Sequence, residues 1–301
     1  MNATLTHLAH PPVERRRGQA EDGRPRTVDI MGLALQDMTE QELVDHIVSG
    51  AAAGRGGWMV NPNVDVMRQV VADAEVRALA EEADLAVADG MPLLWAAAIQ
   101  GTPLRETVPV SDAIWPLCEE AARRSVPVLL LGGAPGSGER AAKVLAERYP
   151  GLAVSHHSPP FGFERDPAAM AAVRQALHDA RPGLVFCAFG FPKQERLTAQ
   201  LRHELPGAWF IGSGGTFSMV AQDTPKAPPW LRRLGLEWVH RLRLEPKRLF
   251  RRYIVHDLPF ALRLLTWALV ARFRPAARPG PVDDRQPAYE GTGYGPDRMA
   301  S

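Results

Sequence analysis

The residues of this chain best suited to chemistry sit where short apolar runs stop. Leu85-Ala86-Val87-Ala88 ends at Asp89-Gly90. A carboxylate held at a strand end and partly desolvated has its pKa raised toward that of a useful general base. An ordinary Asp-Gly turn is the commoner meaning of that dipeptide, and spacing alone favours it. Asn61 and Asn63 flank Pro62 after the run Trp58–Val60; they suit hydrogen bonds to sugar hydroxyls and equally suit an Asx turn. Val126–Leu131 runs into Gly132-Gly133-Ala134-Pro135-Gly136-Ser137-Gly138. Backbone N–H groups there, at a helix start, would receive a phosphate, or the segment is simply a tight turn. Its glycine spacing matches neither a Walker loop nor the dinucleotide fingerprint. Leu184–Ala188 leads into Gly190-Phe191-Pro192-Lys193-Gln194-Glu195. Lys193 and Gln194 would face a ligand at the sheet edge, backed by the positive end of a helix. Gly214, in the glycine turn after Trp209–Ile211, completes the strand-end candidates. His156 and His157 read as loop residues, too isolated for a metal centre.

A second chemical feature lies near the C-terminus. Residues 226–275 carry twelve Lys and Arg against three acidic residues, a local +9 in a chain of formal net charge +1. Such a field attracts anionic lipid, nucleic acid or a diphosphate. Trp230, Leu234, Trp238, Leu242, Leu249 and Phe250 interleave with the arginines, and no zinc-finger, homeodomain or RNP pattern accompanies them, so nucleic acid is not the expected partner. A membrane surface or a bound diphosphate fits better. Pro246 suits a first helical turn, and Arg248 then shares a face with Arg251 or Arg252. No Asp-x-Asp occurs to hold a cation against a diphosphate, so these arginines are the available positive charge. They would equally snorkel from a lipid-facing helix.

The elements that must position these groups alternate between β-like runs and helical patterns, as in a parallel sheet wrapped by helices. Val28–Leu33 reads as the first strand, and Thr39 to Glu42 has capping-box spacing for a helix through about Val48. Val64–Ala80 and Ser111–Arg124 read as helices, Val126–Leu131 as the clearest core strand, Glu139–Tyr149 as a helix and Ala153–His156 as a strand. The loops at Asn61, Asp89, Gly132, Gly190 and Gly212 would then all lie at carboxyl ends of strands, where open α/β sheets bind ligands.

At 301 residues and 46% hydrophobic content the chain can bury a full core. Cys118 and Cys187 have no paired spacing, which makes a reduced, cytoplasmic setting the default. Residues 1–27 and 275–301 read as disordered tails around a 28–225 α/β domain and a basic helical appendage over 226–274. Residues 1–26 lack the apolar core of a signal peptide. The run Leu258–Val270, broken by Arg263, is shorter than the roughly 20 residues of a spanning helix, so no transmembrane helix is expected.

Taken in order, these elements resemble the WecG/TagA/CpsF family of bacterial glycosyltransferases over about Val28 to Tyr253. The resemblance is carried by Asn61-Pro62-Asn63-Val64-Asp65, Ala88-Asp89-Gly90-Met91, Gly101-Thr102-Pro103-Leu104 through Ser111-Asp112, Leu130-Leu131-Gly132-Gly133, Pro160-Phe161-Gly162-Phe163, Gly190 to Glu195, and Leu234-Gly235-Leu236-Glu237-Trp238 to Tyr253. It implies a Rossmann-like α/β fold and an inverting, metal-independent transferase that needs no cofactor. The donor would be a UDP-sugar, N-acetylmannosamine or a related hexose, and the acceptor a polyprenyl-diphosphate-linked sugar at the inner face of the cell membrane. By matched position Asp89 would be the general base. Asn61, Asn63, Gly132, Gly133, Lys193, Gln194, Glu195 and Gly214 would surround the substrates, and Arg241, Arg248 and Arg251 would close on the diphosphate. The apolar, basic appendage also offers a homo-oligomer contact.

Several positions depart from the family pattern. Asn61 stands for a Thr, Thr107 for an Arg, Val110 for a Gly, Ser218 for an Asp and Lys226 for an Arg. Arg105 is the nearby cation that would replace the missing Arg at 107. These departures leave the donor sugar open and sustain a second expectation, a catalytically silent nucleotide-sugar or lipid-binding protein of a polysaccharide assembly complex.

Overall fold

A computed structural model describes residues 25–223, 228, 231, 237–244 and 246–273. The expected tails, apart from residues 25–27, lie outside the described residues, as do most of 224–236 and the side chains of Arg241 and Arg248.

Six parallel strands form the central sheet: β3 (Gly57–Val60), β4 (Leu85–Ala86), β5 (Val128–Gly132), β6 (Val154–His157), β7 (Leu184–Ala188) and β8 (Trp209–Gly212), in the order β4-β3-β8-β7-β5-β6. Every residue of β5 and β7 is buried, as a strand covered by helices on both faces requires. Their register pairs Val128 with Leu184 and Gly132 with Ala188, so the glycine turn after β5 starts level with the end of β7. The chain therefore has the expected Rossmann-like α/β architecture, a parallel sheet flanked by helices.

Helices α1 (Glu40–Ala52), α5 (Val110–Arg123), α6 (Ser137–Arg148) and α9 (Thr216–Val220) pack on one face against Val128, Leu130, Phe186 and Ile211. Helices α7 (Pro167–Ala180) and α8 (Lys193–Leu201) pack on the other against Leu129, Leu131, Val185 and Phe210. The alternation of successive strand residues between the two clusters is the period of a β-strand. Helix α6 leaves β5 for one face, and α8 leaves the adjacent β7 for the other. The β5–β7 boundary is thus a topological switch point, where a crevice opens at the carboxyl ends of the strands.

Local chemistry explains where the elements break. Thr39 and Glu42 form the capping box of α1 in both directions, at 3.2 and 3.0 Å. The single helix read over Val64–Ala80 is two, α2 (Val64–Ala72) and α3 (Ala74–Glu81). Asp73 ends the first and caps the second by accepting from Glu75 N and Val76 N, since an Asp side chain competes with the helix for backbone donors. The first expected strand is a hairpin, β1 (Thr27–Ile30) and β2 (Leu33–Gln36). It turns at Met31 and Gly32, with φ of 53° and 89°, and Asp29 Oδ1 accepts from Gly32 N at 3.1 Å. Helices α4 (Met91–Gln100) and α7 have no counterpart in the sequence reading.

The C-terminal part runs through helices Glu237–Leu244 and Pro246–Phe250, a π-helical stretch Arg251–Asp257, and the helix Leu258–Arg272. From Arg251 to Arg272 the helix is continuous over 22 residues, long and apolar enough by length and composition to cross a membrane. The length read from Leu258–Val270 alone is corrected by the π-helical stretch, which carries the helix back through Asp257. Phe260, Leu264 and Ala268 are buried beside Leu93, Ala96 and Ala97 of α4. Leu258, Leu262, Leu269 and Val270 are exposed.

Candidate active site

Asp89 is placed by backbone bonds to the neighbouring strand. After β4 the chain stays beside β3, with Val87 N donating to Val60 O at 3.2 Å and Asp89 N to Pro62 O at 2.7 Å. Val108 N donates to Ala88 O at 2.9 Å, which brings the start of α5 to the same corner. Gly90, at φ 111°, then turns the chain directly into α4. Asp89 thus sits on a short segment fixed from two sides, as a group with a positional task needs.

Asn61 supplies the third fixing. Its Nδ2 donates to Val87 O at 2.8 Å and Val108 O at 3.0 Å, and its Oδ1 accepts from Val110 N at 3.3 Å. The carboxamide therefore joins the ends of β3 and β4 and the start of α5. Asn63 caps α2, its Oδ1 accepting from Val66 N at 3.1 Å. Between the sugar contact and the local turn left open by the sequence, the observed bonds of both residues are backbone bonds. Asn61→Ala leaves two carbonyls and one N–H without their partner and is expected to cost about 2–4 kcal/mol. Urea unfolding measures this, and a loss under about 0.5 kcal/mol would show that solvent replaces the strut.

The second group lines the switch point. Gly132 and Gly133 both have φ of 91°. A Cβ on Gly132 would come within 2.6 Å of the Phe189 ring, and one on Gly133 within 2.7 Å of Phe217 Cδ2 and Ser137 Oγ. Packing and backbone conformation both demand glycine here. Lys193, the first residue of α8, turns toward the loop that follows β6. Its Nζ is 2.9 Å from Glu164 Oε2 and lies 4.8–5.8 Å from the ring centroids of Phe161, Phe163 and Phe189, a cation–π environment. The Lys193 hydrogen bond holds the Glu164 carboxyl below its ordinary range. Phe161 is fully exposed.

Gln194 and Glu195 are 6% and 1% exposed. Gln194 Oε1 accepts from Gly190 N at 3.1 Å and Gly214 N at 3.3 Å, so one side chain ties together the turns after β7 and β8. Its Nε2 donates to Glu195 Oε1 at 3.0 Å. Glu195 Oε2 is buried without a hydrogen-bond partner, and burial pushes the carboxyl up to about 7. The sequence reading has Gln194 facing a ligand; here the pair supports the glycine turns from behind. A side chain at Gly212 would collide with it, its Cβ 2.4 Å from Gln194 Nε2.

The structure thus gathers Asn61, Asn63 and Asp89 at one end of a row of strand ends. Gly132, Gly133, Lys193, Gln194, Glu195 and Gly214 gather toward the other, with β4 and β7 three strand spacings apart, about 14 Å. Arg251 is exposed. Arg252 instead turns to α2, 3.3 Å from Asp65 Oδ2. Arg105, the nearby cation considered in place of the missing Arg at 107, binds Asp37 and Glu42, with Nη1 3.0 Å from Glu42 Oε1. Sequence reasoning missed the Phe161, Phe163 and Phe189 cage, although Pro160–Phe163 and the Gly190–Glu195 loop, which follows Phe189 directly, were both singled out. A cleft of about 470 Å³ lies at the opposite end of the sheet beside Val126, Gly183 and Ala208 and contains none of these residues.

An all-parallel sheet that presents a placed carboxylate and a glycine-lined switch point along one edge has the architecture in which open α/β proteins bind ligands at strand ends. The chain belongs to the glycosyl transferase WecG/TagA/CpsF family, whose model matches residues 28–274. It is 25% identical over 224 residues to a protein of Bacillus spizizenii strain W23, covering 74% of this chain and 85% of the relative. It is 26% identical over 226 residues to one of Staphylococcus aureus strain MRSA252, covering 74% and 87%. Both relatives bear the name N-acetylglucosaminyldiphosphoundecaprenol N-acetyl-beta-D-mannosaminyltransferase.

Proposed function

We propose that this protein is an inverting glycosyltransferase that moves N-acetylmannosamine or a related hexose from a UDP donor to a polyprenyl-diphosphate-linked acceptor in cell-surface polysaccharide synthesis. The observation that carries the reading is the family match across nearly the whole described chain, with Asp89 fixed at the carboxyl edge of the sheet. In the proposed step the Asp89 carboxylate takes the proton of the acceptor hydroxyl as that oxygen attacks C1 of the sugar from the face opposite the diphosphate. The C1–O bond to the diphosphate breaks, and UDP leaves with the electron pair. Lys193, Arg241, Arg248 and Arg251 are the cations assigned to the developing phosphate charge. Asn61, Gln194 and Glu195 hold the loops that carry these groups.

In this reading the reaction takes place at the cytoplasmic face of the membrane, where the UDP donor and the lipid-linked acceptor would meet. Supporting this are the exposed Leu258, Leu262, Leu269 and Val270 on a helix that also carries Arg263 and Arg272, a composition that suits an interfacial helix. The test is UDP release by the full chain across a panel of UDP-sugars, with and without a short-chain polyprenyl-diphosphate-GlcNAc analogue in mixed micelles. Acceptor-dependent release with one donor is expected. UDP binding without release from any donor would instead identify the silent binding protein.

A further inference from the structure

Four charged side chains meet where the C-terminal segment touches α2. Asp65, in the first turn of α2, accepts from Arg68 Nη2 at 2.6 Å and Gln69 Nε2 at 3.3 Å, and its Oδ2 lies 3.3 Å from Arg252 Nη2. Asp257 lies 3.5 Å from Arg252 Nε and 3.8 Å from Arg68 Nε. Two carboxylates and two guanidiniums therefore alternate, with the carboxylate side chains only 16% and 12% exposed. Partly buried charges of this kind persist only when paired.

The location gives the cluster its meaning. Helix α2 starts at Val64, two residues after Pro62, whose carbonyl receives the Asp89 N–H. Anything fastened to the first turn of α2 is therefore fastened to the segment that sets Asp89. On the other side, the apolar contact with α4 begins only at Phe260. Between Pro246 and Asp257 the described side chains that are buried are Leu249 and Asp257 alone. Buried apolar packing is thus sparse along the π-helical stretch, where Tyr253 and Ile254 are only half-buried, and the ion cluster adds a polar attachment.

We infer that Asp65, Arg68, Arg252 and Asp257 form a latch that fastens the arginine-rich segment to the helix beside the candidate base. Asp65 and Arg252 are thereby positioning residues for Arg251, the next side chain along. The positioning role rests on the transferase reading; the latch itself does not.

The test uses the full chain with Asp65→Asn, Arg252→Gln, the double variant and Arg252→Lys, beside Arg251→Gln. Hydrogen exchange over residues 246–257 is expected to quicken roughly tenfold in each of the first two. The acceptor KM is expected to rise roughly tenfold while kcat stays within about threefold. The double variant should be no worse than the poorer single, because both break one contact. Arg252→Lys should recover part of both effects, and Arg251→Gln should lose turnover with exchange unchanged. Additive effects, or unchanged exchange in both singles, would overturn the latch. If the parent protein transfers nothing from any donor, the functional reading falls and exchange alone decides: a loosened segment supports the latch, and an unchanged one refutes it.

Discussion

Asp89→Asn is expected to lower acceptor-dependent UDP release by ~100- to 10,000-fold while leaving cooperative unfolding intact. Asparagine keeps the size of the side chain but cannot receive the acceptor proton. The backbone that places residue 89 makes its bonds through Asp89 N, Ala88 O and the Asn61 carboxamide around it, and these survive the substitution. Binding of UDP, measured by calorimetry, should be nearly unchanged, since the proposed role is in the transition state and not in donor affinity. Release within a few-fold of the parent would remove Asp89 from the chemistry and send the search for a base elsewhere along the strand ends.

The second large effect concerns stability and pH. Glu195 ionises near 7 in the folded chain against an ordinary 4.5, because burial disfavours its charged form. Below about pH 4.5 it is neutral in both folded and unfolded states and costs nothing. Between the two values the unfolded chain loses the proton first, so stability falls as pH rises, and the loss is complete above the folded value. A shift of that size corresponds to about 3 kcal/mol at pH 8. Glu195→Gln keeps an acceptor for Gln194 Nε2 and carries no charge, so it is expected to be more stable than the parent by about that amount at pH 8, with the difference vanishing toward pH 4.5. Denaturant titrations at several pH values measure it. Parallel stability curves for the two proteins would place the carboxyl back in its ordinary range.

Much of the frame that holds these residues was legible. β5 and β7 announce themselves as unbroken apolar runs, and the glycine turns mark their ends. Helix α4 did not, because Met-Pro-Leu-Leu-Trp-Ala-Ala-Ala-Ile-Gln is apolar nearly all round and has no period to read. Helix α7 is alanine-rich, although Asp166 as cap with Pro167 behind it was a readable start. The hairpin was hidden because Met31 is not a residue one expects at positive φ. At the site, strand-end placement of Asp89 and of the Gly190 loop follows from pattern alone. The inward turn of Gln194 and Glu195 does not: it depends on Gly212 leaving room on a strand that is distant in sequence. The pairing of Asp65 with Arg252 is equally invisible, since only its local half, Asp65 with Arg68, has helical spacing.

The strand order has a consequence for how the chain is made. Among the described residues β8 is the last strand to be synthesised, yet it lies between β3 and β7 and is the only link between them. Until Trp209–Gly212 emerges, β4-β3 and β7-β5-β6 are two separate sheets, each with a bare inner edge. Such edges invite pairing with other chains. The nascent protein must keep the β3 edge unpaired for some 150 residues of synthesis and the β7 edge for about 20, then close the sheet with a single four-residue strand.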